Sequence, residues 1–208
     1  MTYWSNTEAS LPAKPDFMTD PEHLKGLEGR RFIVLRPTGE VSKVYKETQA
    51  RFKELFTNKE VTYPNTEHVM LRGYPSGTEL KDVTEAAETL MGKRGFKVEI
   101  LKLATFPSPF KIIVFEVVKT PELIVAYEDL SNETRAKKLP HFEPERSSDE
   151  WIFHMSVAYC EKLNDGEWEK VEKEVAEIDT PKASCFVDAL EVVSYDDQGE
   201  HVREIKLS

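Results

Sequence analysis

Hydrophobic and polar positions alternate with two different periods along this chain, and the period changes mark its elements. From Arg31 the run Phe32-Ile33-Val34-Leu35 predicts a buried strand, stopped by Pro37 and Gly39. Val41, Val44, Tyr45, Phe52, Leu55 and Phe56 then fall on one face at helical spacing. Residues 66–72 read as a strand closed by Gly73 and Pro75. A second helix is signalled by Leu80, Val83, Ala87, Leu90 and Met91, ending in the Gly92 to Gly95 stretch. Two strands follow, Phe96 to Leu103 and Phe110 to Val118, with Phe106-Pro107-Ser108-Pro109 as their turn. Pro121 to Leu130 suits a short helix, and the charged, proline-punctuated run from Arg135 to Ser148 suits a loop, functional or mobile at that length. Trp151 to Tyr159 resumes as a strand, and Asp165 to Ile178 as a helix with Trp168, Val171, Val175 and Ile178 inward. Phe186 to Tyr195 and Val202 to Leu207 close the chain as a hairpin across Asp196-Asp197-Gln198-Gly199.

In element order the chain reads β-α-β-α-β-β, a connector, then β-α-β-β. The similar halves predict an α+β fold of two pseudo-symmetric lobes, each an antiparallel sheet with helices, around a central cleft. The expected boundaries are an arm over residues 1–29 and a single bilobal domain over 30–208. Within the domain, one lobe centres on 30–118, a connector spans 119–149, and the second lobe centres on 150–208. Pro12, Pro15 and Pro21 make the arm irregular, while Trp4 and Phe17 give it side chains with which to dock.

Strand alternation singles out the chemistry. In Ile152-Phe153-His154-Met155-Ser156-Val157, His154 and Ser156 share a face, roughly 6 to 7 Å apart. Trp151, Phe153, Met155 and Val157 on the other face are wholly apolar. An imidazole and a hydroxyl at that spacing suit one phosphate. Ser156 alone serves equally to satisfy a neighbouring backbone group. The counterpart in the first half is Thr66-Glu67-His68-Val69-Met70-Leu71-Arg72, where alternation places Thr66, His68, Met70 and Arg72 together. Each lobe thus supplies one histidine from an equivalent strand. A lone strand histidine is usually structural; two in matched positions point to function.

This pair, His68-Val69-Met70-Leu71 and His154-Met155-Ser156-Val157, resembles the two H-x-[Ser/Thr]-hydrophobic motifs of the two-histidine phosphoesterase superfamily, which includes bacterial 2′-5′ RNA ligases and cyclic phosphodiesterases. The element order is similar from about Arg30 onward. The resemblance implies a metal-independent phosphoesterase acting on a cyclic phosphate or 2′-5′ phosphodiester of a nucleotide or RNA end, with His68 and His154 catalytic and Ser156 on the phosphate. No cofactor is implied. Near pH 7 a neutral imidazole can activate water while a protonated one donates to the departing oxygen. The chain departs from the pattern at Met70, whose thioether cannot donate to phosphate. Thr66 or Arg72 beside His68 is expected to replace that donor, and catalysis calls for one of them in the cleft.

Charge and composition narrow the alternatives. The 208 residues are 39% hydrophobic and 32% charged, an ordinary globular balance. A net charge of −10 speaks against a broad sheath for duplex DNA and ranks RNA ligation below hydrolysis, because neutralising many phosphates needs a surplus of Lys and Arg. Cys160 and Cys185 are too few for a disulfide framework, and no Cys/His or carboxylate ligand cluster predicts a metal. No apolar stretch approaches the roughly 20 residues that span a bilayer, so a cytoplasmic monomer is expected. Tyr74 and Tyr127 either stack on a base or pack in the core or rim. Arg135, Lys137 and Lys138 near His141 either form a lid that steers an anion or a solvated loop. His23, His141 and His201 read as surface residues. Two further classes stay open: a nucleotide-binding module whose Met70 half-site has lost catalysis, and a structural α+β domain whose histidines never meet.

Overall fold

Backbone pairing sorts the eight strands into two antiparallel sheets of four. The computed structural model describes residues 14–142 and 145–208, so Trp4 lies outside the described residues. A short helix α1 (Pro21–Leu27) leads into β1 (Arg31–Leu35), α2 (Gly39–Leu55), β2 (Val69–Tyr74), α3 (Leu80–Glu88), β3 (Phe96–Phe106) and β4 (Ile112–Val117). Then come α4 (Pro121–Ala136), β5 (His154–Tyr159), α5 (Asp165–Glu177), β6 (Ser184–Val187), β7 (Ala189–Asp196) and β8 (Gly199–Lys206). The first sheet runs β2-β1-β7-β8 and the second β5-β4-β3-β6. This is the expected α+β architecture of two sheets with helices.

Sequence order misleads about which strands make each lobe. The first sheet joins β1 and β2 to β7 and β8 from the far end of the chain, and the second takes β3 and β4 from the first half. The lobes therefore interleave rather than dividing at a connector. The expected strand from Phe186 to Tyr195 breaks at Asp188, because β6 pairs with β3 whereas β7 pairs with β1. The connector is largely the 16-residue helix α4, started by Thr120, whose hydroxyl accepts from the Leu123 N–H, and by Pro121 in the first turn. The arm is structured where described: Asp20 caps α1, and Phe17 is buried with Val34, Val193 and Tyr195.

One continuous core spans both lobes, with Ile33 and Leu71 of the first sheet and Phe115 and Met155 of the second packed with Tyr45 and Phe52 of α2. Phe153, Met155 and Val157 are each 0% exposed. A one-residue slip of β5 would turn them to the cleft face, at about 1.5–3 kcal/mol per side chain, and drive His154 and Ser156 into the apolar core instead. That difference fixes which face of β5 looks outward.

Candidate active site

β2 and β5 are the edge strands of their sheets and lie against each other, with a histidine at the start of each. His154 opens β5, and His68 immediately precedes β2, which begins at Val69 rather than Thr66. Both imidazoles line one cleft of about 320 Å³. Each is half-buried, and each has an aromatic ring edge-on at a centroid distance of 4.8 Å: Phe17 for His68, Phe106 for His154. Nδ1 of His154 lies 2.8 Å from the Ile152 carbonyl. Donation there leaves Nε2 as the reactive nitrogen. His68 faces the Thr66 backbone in the same relation, but its buried Nδ1 lacks a partner of good hydrogen-bond geometry.

A β-bulge follows each histidine at the same offset. On β2, Ile33 pairs with Arg72 and Val34 with Met70, leaving Leu71 over; on β5, Ile113 pairs with Ala158 and Val114 with Ser156, leaving Val157 over. An extra residue inverts the alternation beyond it. On β5 the consequence is that Tyr159 joins His154 and Ser156 on the cleft wall. On β2, Met70 stays in the cleft, whereas Arg72 turns into the core at 5% exposure. There Arg72 donates to Tyr127 Oη (3.4 Å), Ser131 Oγ (3.2 Å) and Nδ1 of His141 (2.6 Å). Arg72 is thus not the substitute phosphate donor. Nor is Thr66, which is buried and gives its hydroxyl to Glu67. α2 holds the β5 bulge from behind: Tyr45 Oη donates to the Ser156 carbonyl at 2.9 Å, and Gln49 Nε2 to the Val157 carbonyl at 3.4 Å.

The remaining expected contacts also fall elsewhere. Tyr74 and Tyr127 are core residues, 0% and 1% exposed; Tyr74 Oη pairs with Thr134 Oγ1, and Tyr127 Oη donates to the Arg146 carbonyl. Arg135 and Lys137 pair with Glu145 and Glu85, which neutralises two of the three cations of the expected lid. His141 is half-buried against Arg72, while His201 is exposed and paired with Asp196. His23 is a cleft residue, its ring 4.6 Å from that of Tyr159. Strand alternation alone misses Tyr159, His23 and Phe106. Tyr159 becomes legible only when the bulge is known.

Electrostatics favours neutral imidazoles in the cleft. Burial pushes His68 down to about 4; the Thr66 backbone opposes this, and positive charge on His154 or Arg36 adds to it. Burial also lowers His154, opposed by its bond to Ile152 and by the carboxylate of Glu116, its cross-strand neighbour. Arg36 thus adds slightly to the lowering at His68, while Glu116 works against it at His154. Among the described residues no group of three His, Cys, Asp or Glu side chains is placed to hold a metal ion, and no helix is long and apolar enough to cross a membrane.

Two antiparallel sheets bringing one histidine each to a shared cleft define the two-histidine phosphoesterase class. The chain belongs to the 2′-5′ RNA ligase superfamily, whose family model matches residues 68–199, beginning at His68. No curated protein matches it in sequence. Among solved structures it is similar to TT0787 of Thermus thermophilus (TM-score 0.57, 13% identity, covering 85% of this chain and 95% of that one). It is also similar to Kluyveromyces marxianus Usb1 (0.54, 8%, 86% and 99%) and to Escherichia coli LigT complexed with 3′-AMP (0.52, 13%, 86% and 95%). At these identities the likeness is one of fold.

Proposed function

We propose that this protein hydrolyses a phosphodiester, a cyclic phosphate or 2′-5′ linkage of a nucleotide or RNA end, without a metal. The observation that carries the reading is the pair of imidazoles, one from each sheet, facing one cleft with the Ser156 hydroxyl beside them. Neutral His68 takes a proton from the attacking water, and protonated His154 gives one to the departing oxygen. The breaking P–O bond leaves as an alcohol, and the new P–O bond makes a phosphomonoester. Ser156 donates to a non-bridging oxygen. The donor missing at Met70 is supplied from β5 by Tyr159, which lines the cleft together with Ser156. The 3′-AMP held by LigT supports a nucleotide as the bound class. Two unpaired cysteines, Cys160 and Cys185, fit a reducing, cytoplasmic site of action.

A panel of 2′,3′-cyclic nucleotides and 2′-5′ oligonucleotides assayed with a chelator present tests this. Turnover that survives the chelator, follows a bell-shaped pH profile and disappears in His68→Ala and His154→Ala is expected. One observation favours a second reading, a cleft that captures a nucleotide without turning it over: the β2 half-site presents a thioether where a hydroxyl is needed. Binding without turnover across the panel is its signature.

A further inference from the structure

The two imidazoles of the cleft are held by different means. His154 has an edge-on ring, Phe106, and a hydrogen bond from Nδ1 to the Ile152 carbonyl. His68 has the ring alone: Phe17 meets it at a centroid distance of 4.8 Å and an interplanar angle of 74°, while its buried Nδ1 has no partner of good geometry. With Nδ1 buried, Nε2 is the nitrogen left to the cleft. A histidine is ordinarily oriented by the bond its second nitrogen makes. Where that bond is absent, packing must fix the plane of the ring.

Phe17 is itself tied down. Its N–H donates to the Glu200 carboxylate at 2.9 Å, and its carbonyl accepts from the Asn65 N–H at 2.8 Å. One residue is thus joined both to β8 and to the segment that leads into His68. Over the Phe17 ring, 3.7 Å from its centroid, lies the Arg36 guanidinium, which donates to the Pro15 carbonyl at 2.9 Å and to the buried Glu191 carboxylate at 3.0 Å. The ring is buried and packs with Val34, Val193 and Tyr195. Moving it would break these contacts together, so it offers His68 a rigid surface. Phe17, Arg36, Asn65 and Glu200 all lie outside residues 68–199, so membership of the superfamily carries no expectation of them.

We infer that Phe17 is a positioning residue: its ring, pinned by Glu200 and Asn65 and backed by Arg36, does for His68 what the Ile152 carbonyl does for His154, holding the plane of the imidazole so that Nε2 faces the cleft. This rests on the phosphodiester reading of the histidine pair and adds to it a residue that acts through His68.

The test follows both imidazoles by NMR as pH is varied in the full chain, and measures kcat and KM on a nucleoside 2′,3′-cyclic phosphate. His23, Arg30, His154 and Glu161 line the cleft with Tyr159 and Tyr195, Arg36 faces His68 from beyond β1, and Glu200 lies behind Phe17. Phe17→Ala alters none of these charges, so a changed titration reports the loss of the ring. The His68 midpoint, held at about 4 by burial, should rise by about one pH unit or more, with His154 little changed. In the same variant kcat should fall about tenfold and KM change less than about threefold. An unmoved His68 titration in a variant with a cooperative melt overturns the inference, and so does an unchanged kcat, which would leave Phe17 as cover only. If the wild type turns over no cyclic nucleotide, the phosphodiester reading fails by itself, and the titration alone decides whether Phe17 holds His68. Should Phe17→Ala fail to fold, Phe17→Leu keeps the apolar bulk and should lose about threefold in kcat; no loss overturns the inference. A wild-type His68 midpoint near 6.5 overturns it without any variant.

Discussion

The β2 and β5 half-sites share a plan and differ in what they offer a phosphate. Each sets a histidine at the start of an edge strand, an aromatic ring edge-on to it, and a bulge after the second following residue. On β5 the cleft positions are His154, Ser156 and Tyr159, three polar groups. The matching positions on β2 are His68, Met70 and Gly73, of which only the histidine has a hydrogen-bonding side chain. On the proposed mechanism the scaffold positions the proton-transfer groups in duplicate, while the oxygen contacts need only one strand. A site with a single anion at its centre can therefore lose donors on one side and keep both proton-transfer groups.

The largest effects should fall on what the half-sites share. His68→Ala and His154→Ala are each expected to lower kcat/KM by about a thousandfold, the scale of a lost general acid or base, with the double variant close to either single one. Strongly unequal losses, measured on one cyclic nucleotide, would show that one histidine only binds. Next in size is what β5 alone has: Ser156→Ala should lower kcat about 100-fold with a smaller change in KM, as for one removed oxyanion donor. A loss confined to KM would make the hydroxyl a ground-state contact.

Much of this asymmetry was legible in the sequence, up to a definite point. Alternation through Phe153, His154, Met155 and Ser156 gives the correct faces because a one-residue slip turns three apolar side chains to the cleft face. It fails past Leu71 and Val157, since these are ordinary strand residues and nothing local marks an extra one. That single cause sends Arg72 into the core against expectation and brings Tyr159 into the cleft unannounced. The interleaving of the lobes was hidden for another reason: the pairing of β1 with β7 joins distant segments, and order along the chain carries no sign of it. Phe17 was legible as a docking side chain of the arm, but not where it docks, because its anchors, Glu200, Asn65 and Arg36, come from three separate places.

The histidines also leave a mark on stability, of smaller size. His68 is held near 4 in the folded chain against 6.5 when free. Above pH 6.5 both states carry it neutral and its contribution is constant. As pH falls from 6.5 towards 4, the unfolded chain binds a proton that the folded chain refuses, so stability declines and the loss is complete below the folded value. The full difference is on the order of 3 kcal/mol, and cleft water at a half-buried ring reduces it to about 2. Denaturant melts between pH 7 and 4 should show a shallower decline for His68→Gln than for the wild type. Parallel curves would mean that the cleft solvates His68 as water does.

The smallest effect bears most directly on the comparison. If Tyr159 stands in for the hydroxyl absent at Met70, Tyr159→Phe should cost about tenfold in kcat, the scale of one hydrogen bond. Met70→Thr should then matter more in that background than in the wild type. A threonine at this place suits a strand, and it puts a hydroxyl on the cleft face of β2. Where Tyr159 already donates, a second hydroxyl is redundant and the gain should be within about threefold. Where Tyr159 has been removed, the same substitution should recover most of the loss, so the two changes should be non-additive by about 1 kcal/mol. Additive effects would mean that the two groups serve different oxygens, and that the β2 half-site surrendered a contact that β5 does not replace.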